Sequence, residues 1–317
     1  MQTDASMFTF LGIQIYAYGL YLMAGVLLFA GLIWILAKRD RVQDAALLGT
    51  AIGLPLALVF SRGLYCLADS NFYAVASLKN ALSITSGGMS MFGALAGMLL
   101  GLALASWLTM SKHSSLLDAF APSAMAFIAL ARLGERHTAL GISRPLVTGL
   151  LNNTFLAYSD TYDAYLKTWL LEAIAAALLC LVLVLIRSKA KRKGDTFLLW
   201  MLLFGASQTI LESLRYDGHM RFSFIGLQQV LSAFLFGIAI IVFSLRCMKQ
   251  GGKGKLPVIA LVLLGITVAA AIGLEFLIDR SAINKALLYL VYIVVMAVPA
   301  GLAIHMQKGC SHGQSKN

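Results

Sequence analysis

Charged side chains are scarce in this chain: Asp, Glu, Lys and Arg make up 12% of its 317 residues, while 60% are hydrophobic. So little polar surface cannot cover a water-soluble globule, and the composition requires lipid as solvent. Cysteine is also sparse. The four residues, Cys66, Cys180, Cys247 and Cys310, are too widely spaced for a disulfide framework, a redox pair or a metal-ligand cluster. Cys66, near the outer end of an apolar run, reads as a small packing residue ahead of a reactive thiol. No repeat of solenoid length is present. Acidic residues are few, 14 against 25 basic ones for a net charge of +11. The cations sit in short tracts with no aromatic-interleaved basic face, which excludes a nucleic-acid partner.

What the chain does contain is nine apolar runs: Leu11 to Ala37, Ala45 to Leu67, Gly88 to Met110, Leu117 to Gly134, Leu166 to Ile186, Thr196 to Leu214, Phe222 to Leu245, Leu256 to Ile278 and Ala286 to Met306. Most are near the ~20 residues that a hydrocarbon core requires. The first is too long for a signal-peptide core and lacks a small-residue cleavage site, so it is expected to be a retained helix. The expected fold class is all-α, a polytopic transmembrane helical bundle of about nine spans.

Fifteen of the 25 Lys and Arg residues fall on one side of these spans: Lys38, Arg39 and Arg41, Lys112, the tract from Arg187 to Lys193, the tract from Arg246 to Lys255, and Lys308 with Lys316. That side is expected to be the cytoplasm, with the amino terminus outside and the carboxyl terminus inside. The basic tracts also suit an anionic inner leaflet. Two cytoplasmic linkers stand out, Arg187 to Gly194 and Gln250 to Lys255. The second separates a seven-helix core, residues 1–249, from two further helices, 256–306, and a cytoplasmic tail, 307–317. The charges of the added pair, Glu275, Asp279, Arg280 and Lys285, lie toward its outer end, and the pair looks like an appendage.

On the outer side, Ala68 to Ser86 is expected to be an interfacial arm, with Phe72 and Tyr73 at headgroup depth and Lys79 reaching phosphates. Gly141 to Tyr165 forms a second outer segment whose tyrosines, Tyr158, Tyr162 and Tyr165, fit an interfacial belt.

Ionisable residues inside apolar runs carry the chemistry, because each is costly in lipid and implies a partner, a cavity or a ligand. Arg62 ends the second run, Arg132 and Glu135 end the fourth, Glu172 lies in the fifth, and Glu212 and Arg215 finish the sixth. Arg62, Arg132 and Arg215 offer three fixed cations toward the outer face, which suits a phosphate headgroup. The plainer reading makes Arg132 with Glu135, and Arg215 with Glu212, i, i+3 pairs closing helix ends. Gly205, Gln208, Glu212 and Arg215 fall on one helical stripe expected to face the bundle interior. Gly93, Gly97 and Gly101, at four-residue spacing, read as packing positions, whereas the amides of Gly87 and Gly88 at the outer mouth are suited to an anion.

The order of these fragments resembles the prolipoprotein diacylglyceryl transferases over about three quarters of the chain. The resemblance runs through Tyr18-Gly19-Leu20, Arg62, Gly87-Gly88-Met89-Ser90, Asp118 with Ala121-Pro122, Arg132-Leu133-Gly134, Glu172, Gly205, Glu212, Arg215 and Gln229. It implies an enzyme of the bacterial cytoplasmic (inner) membrane that moves the diacylglyceryl group of phosphatidylglycerol to a lipobox cysteine at the outer face, releasing glycerol phosphate. No cofactor or metal is implied. Phosphatidylglycerol or a similar anionic phospholipid is the expected partner, together with prolipoprotein signal peptides. The resemblance assigns lipid and phosphate binding to Arg62, Arg132, Arg215, Gly87, Gly88, Tyr18 and Gln208, with Arg132 first in the anion clamp and Glu212 orienting an arginine.

The chain departs from the family pattern at three places. Phe92 stands where the family has a histidine, Leu140 where its signature ends in glutamate, and Gln208 where an arginine is expected. Glu135 or His137, both close to Arg132 in sequence, is the expected replacement base. The alternative is a lipid-binding pseudoenzyme, or a paralogue that serves another acceptor. A small-molecule transporter is disfavoured, since no matched Pro or Gly breaks occur at mid-membrane in two halves.

Overall fold

The computed structural model describes residues 7–10, 13–68, 87–145, 154–159, 162–190, 192–216, 221–222, 224–249 and 255–313. Among them, nine helices are long and apolar enough to cross a membrane. They are α1 (Ala17–Lys38), α2 (Gln43–Ala68), α3 (Met91–Leu108), α4 (His113–Gly134), α5 (Thr168–Lys189), α6 (Asp195–Leu214), α7 (Leu227–Lys249), α8 (Leu256–Arg280) and α9 (Lys285–Gly313). Their outward faces are apolar, as with Leu27 and Ile35 of α1 and Val59 and Phe60 of α2, a surface that only lipid tolerates. The chain is therefore a multi-pass membrane protein.

The expected arm from Ala68 to Ser86, with Phe72, Tyr73 and Lys79, lies outside the described residues beyond Ala68, as do Lys191, Lys316 and all but Lys255 of the second linker. The first linker begins later than expected. Arg187 is part of α5, which continues to Lys189, and its side chain is only 4% exposed. Its Nη2 donates to Asp40 Oδ2 at 2.8 Å and to the Leu36 carbonyl at 3.1 Å, while Arg39 Nη1 donates to the Arg187 carbonyl at 2.5 Å. The Asp40 carboxylate supplies the counter-charge that allows this guanidinium to be buried, although its Nε and Nη1 have no hydrogen-bond partner among the described residues.

The chain divides into two compact units, Met1–Ser188 with Leu214–Met220, and Lys189–Ser213 with Arg221–Asn317. In the first, α2 packs along α3 and α1 along α4. Small residues set the α2–α3 distance: a Cβ on Gly93 would fall 2.7 Å from Ser61 Cα, and one on Gly97 would fall 2.5 Å from the Leu56 carbonyl carbon. Such backbone contact replaces the hydrophobic drive that lipid removes. α4 is the enclosed element, with 72% of its most apolar stretch buried against 22% for α1. Its alanines and serines, among them Ala121, Ser123 and Ala124, allow neighbours close on all sides.

Ahead of α1 lie two antiparallel strands, β1 (Phe8–Phe10) and β2 (Ile13–Ile15); after α4 the chain makes a 3-10 turn, Glu135–His137, and then a three-stranded antiparallel sheet ordered β3 (Ile142–Pro145), β5 (Ala164–Lys167), β4 (Ala157–Ser159). These strands fall in the segment from Gly141 to Tyr165 and its continuation to Lys167, and Tyr158 faces Tyr165 across the β4–β5 ladder, an aromatic cross-strand pair. Tyr162 is 92% exposed, as an interfacial ring would be.

In the second unit, α7, α8 and α9 pack against one another. α6 approaches α7 at Gly205, where a Cβ would fall 2.7 Å from the Phe236 amide nitrogen. Arg246 Nη1 closes the other end of that pair on Asp195 Oδ1 at 2.9 Å.

Candidate active site

Arg132 occupies the last turn of α4, and the 3-10 turn that follows folds Glu135 back onto it. Arg132 Nη1 meets Glu135 Oε1 at 2.5 Å, and Arg132 Nε meets Glu172 Oε2, from the first turns of α5, at 2.7 Å. Arg215, just past the end of α6, closes the ring: its Nη1 lies 3.0 Å from both Glu135 Oε2 and Glu172 Oε1. All four side chains are at most 7% exposed.

The ring alternates two cations with two anions, and each carboxylate touches both guanidiniums. Desolvating four charges is costly, and only geometry of this kind repays it. The set is electrically neutral as it stands. An anionic ligand at Arg132 and Arg215 would compete with Glu135 and Glu172 for the donors that these carboxylates now hold.

Two glycines make room for the ring. Gly141 has φ near +75°, and a Cβ there would fall 2.8 Å from Glu135 Oε2 and 2.7 Å from Trp169 Cβ. Its carbonyl accepts from the Trp169 amide at 3.0 Å, which ties the turn to α5 beside Glu172. Gly134, between Arg132 and Glu135, lies under the aromatic side chains of α1: a Cβ would fall 3.0 Å from Tyr18 Cδ2 and 2.8 Å from Tyr21 Cβ. Tyr18 is thereby held within electrostatic reach of Glu135, Arg132 and Arg215. Met91, which opens α3, offers its sulfur to Arg132 Nη2 at 3.8 Å.

The structure thus gathers four of the sequence-derived candidates, Arg132, Glu135, Arg215 and Tyr18, around Glu172. The remaining candidates have contacts of their own. Arg62 donates to the carbonyls of Gly87 and Gly88, the latter at 2.8 Å, and its guanidinium lies 5.4 Å from the Tyr65 ring centre. The two glycines, with φ of 73° and 74°, meet this cation through their carbonyls. His137 is exposed, its ring 5.7 Å from that of Tyr21. In the second unit, Gln208 Nε2 donates to Glu212 Oε2 at 3.3 Å, and both side chains are buried. Phe92 is buried in the first turn of α3.

Sequence reasoning gave Glu172 no role in the site, although a carboxylate in an apolar run was the signal for it. Gly141 carries no sequence signal, because its requirement arises from a contact with Glu135. Among the described residues, no group of three or more His, Cys, Asp or Glu side chains is placed to hold a metal ion.

The family model for prolipoprotein diacylglyceryl transferase matches residues 5–245 and ends inside α7. Proteins named phosphatidylglycerol–prolipoprotein diacylglyceryl transferase are similar over most of their length. One from Enterococcus faecalis is 29% identical over 268 residues, covering 77% of this chain and 91% of the relative. One from Bacillus velezensis is 27% identical over 253 residues, 75% of this chain and 90% of the relative. One from Listeria monocytogenes is 26% identical over 241 residues, 74% of this chain and 86% of the relative.

Proposed function

Because this chain belongs to the prolipoprotein diacylglyceryl transferase family, whose members are membrane transferases, we propose that it moves the diacylglyceryl group of phosphatidylglycerol to a prolipoprotein lipobox cysteine. The reaction takes place at the outer face of the bacterial cytoplasmic membrane. The observation that carries this reading is the pair of buried guanidiniums, Arg132 and Arg215, converging on the same two carboxylates.

In this reaction the cysteine sulfur forms a bond to the glyceryl carbon, and the bond from that carbon to the phosphate oxygen breaks. Glycerol phosphate leaves with the bonding pair and gains a second negative charge. Arg132 and Arg215 meet that charge with planar, multidentate donors in a site of low dielectric. The thiol must give up its proton, since only the thiolate attacks well. With Phe92 at the position of the family histidine, Glu135 takes that role. Its two oxygens are held by Arg132 and Arg215, and phosphate binding at those guanidiniums releases them to receive the thiol proton. His137, exposed beside Tyr21, is the second candidate base.

The topology of the first unit supports an outer-face site. Tyr18, Arg132 and Glu172 lie at one end of α1, α4 and α5, and the cluster of Arg39, Asp40 and Arg187 at the other. Fifteen residues of α5 separate Glu172 from Arg187, about 22 Å along a helix. The basic end faces the cytoplasm by the positive-inside rule, which leaves the amino terminus outside and the carboxyl terminus inside. Residues 1–249 form the transferase core in this reading, and 256–306 are two additional helices.

Transfer to a different acceptor, or lipid binding without turnover, is the second reading, and Phe92 is the residue that favours it. Complementation of a conditional diacylglyceryl transferase deletion separates the two. Rescue by this chain and none by an equally expressed Arg132→Ala variant is the expected result; a well-expressed parent that fails to rescue points to the second reading.

A further inference from the structure

Within the first unit, strand β3 and the glycine ahead of it touch the supports of three ring residues, Glu135, Glu172 and Arg215. Gly141 lies against Glu135, and its carbonyl accepts from the Trp169 amide at 3.0 Å. Ser143 is buried, and its Oγ accepts from the Leu166 amide of β5 at 2.8 Å. β5 runs straight into α5, which carries Glu172. The Ile142 carbonyl accepts from the Tyr216 amide at 2.9 Å, which fixes the residue that follows Arg215. Two positions along the strand, Arg144 places its guanidinium carbon 4.4 Å from the centre of the Tyr216 ring.

The supports differ in kind. Glu135 and Glu172 stand on segments joined to β3 through neighbouring backbone and the β3–β5 ladder. The segment of Arg215 is distant in sequence and meets β3 through one backbone bond and one stack. Tyr216 is 53% exposed and Arg144 is half-buried, so apolar burial does little to hold this ring in place. The attraction of a planar cation for an aromatic face does that instead.

The stack matters most when the ion-pair ring opens. At rest, Arg215 Nη1 is held by Glu135 and Glu172. A phosphate that competes for this donor weakens both tethers, and the position of Arg215 then depends on how its backbone is anchored. A guanidinium that drifts meets the leaving charge less well, and small misplacements of a clamp are costly.

We infer that Arg144 is a positioning residue: stacked on Tyr216, it latches the segment of Arg215 to β3, so that the guanidinium keeps its place while a phosphate displaces the carboxylates. The inference rests on the transferase reading only for its kinetic readout.

The test uses the full-length protein in nanodiscs of phosphatidylglycerol and phosphatidylcholine. Arg144→Gln and Tyr216→Leu should each lower kcat/KM for phosphatidylglycerol by about fivefold, the scale of one cation–aromatic contact at a partly exposed site. The thermal midpoint should move by only a few degrees. Arg144→Lys and Tyr216→Phe, which keep a cation over an aromatic face, should recover most of the loss. Arg144→Gln combined with Tyr216→Leu should be no worse than either alone. A loss in Arg144→Gln that Tyr216→Leu does not share would make Arg144 a plain surface charge for the anionic lipid and overturn the inference. An unchanged kcat/KM per folded molecule in both single variants would overturn it as well.

Hydrogen exchange read by mass spectrometry needs no turnover. The Tyr216 amide should exchange about fivefold faster in Arg144→Gln than in the parent, as local opening becomes easier, and Arg144→Lys should restore most of the protection. An unchanged rate in Arg144→Gln overturns the inference. If the parent releases no glycerol phosphate, the transferase reading fails, while the exchange rate still decides whether Arg144 holds the segment of Arg215.

Discussion

Arg215 Nη1 lies 3.0 Å from Glu135 Oε2, a bond that spans 80 positions of sequence. Together with the bonds of both residues to Arg132 and Glu172, it makes the resting site a closed, neutral ring in which carboxylates occupy the donors a phosphate would use. Substrate binding then competes with internal ion pairs, and the residues of the ring differ in what their loss should do.

Glu135→Gln keeps the shape of the ring and removes one negative charge. Phosphatidylglycerol should bind more tightly, with KM falling, while kcat falls by about 100-fold if Glu135 accepts the thiol proton. Steady-state kinetics in mixed-lipid nanodiscs reads both. A fall in KM at full kcat would transfer the base role to His137.

Glu172→Ala removes the other carboxylate and leaves Arg132 and Arg215 with one anion between them. Breaking a buried ion pair from one side costs on the order of 3–5 kcal/mol, so thermal unfolding in detergent should shift down sharply. Glu172→Gln, which retains hydrogen-bonding atoms, should shift it less. Equal stability of Glu172→Ala and the parent would show the ring to be an exposed surface network.

Gly141→Ala should reduce activity, because its Cβ would press on Glu135 and Trp169 and its φ is left-handed. Gly31→Ala in α1 is the matched control, being exposed with nothing within 4 Å of its Cβ position. Activity per folded molecule should fall in the first and hold in the second.

Arg187→Ala should destabilise the protein by about 3 kcal/mol, the usual scale for stripping a buried carboxylate of its partner. The affected carboxylate is Asp40, at the opposite end of α1 from Tyr18. Turnover per folded molecule should remain near that of the parent.

The nine spans were legible because length and apolarity alone define a membrane helix. The ring members were legible as charges that lipid penalises, but their pairing was not. Local spacing pairs Arg132 with Glu135 and Arg215 with Glu212, and the bonds of Arg215 to Glu135 and Glu172 come from distant segments that periodicity cannot connect. Arg187 looked like a linker cation because it opens a basic tract, whereas its carboxylate partner on the loop after α1 lets the helix run on. Glu275 looked like an outer-end charge on a plain hairpin. Its partners Ser213 and Gln229 lie 62 and 46 positions away, beyond the reach of any local pattern.

The most direct test of the transferase reading is glycerol phosphate release by the purified protein in phosphatidylglycerol nanodiscs, with a lipobox peptide as acceptor. The expected result is release that depends on the peptide cysteine and falls by about 100-fold or more in Arg132→Ala. A folded parent that releases none, or an Arg132→Ala variant that matches it, would contradict the assignment of the ring as a phosphate clamp.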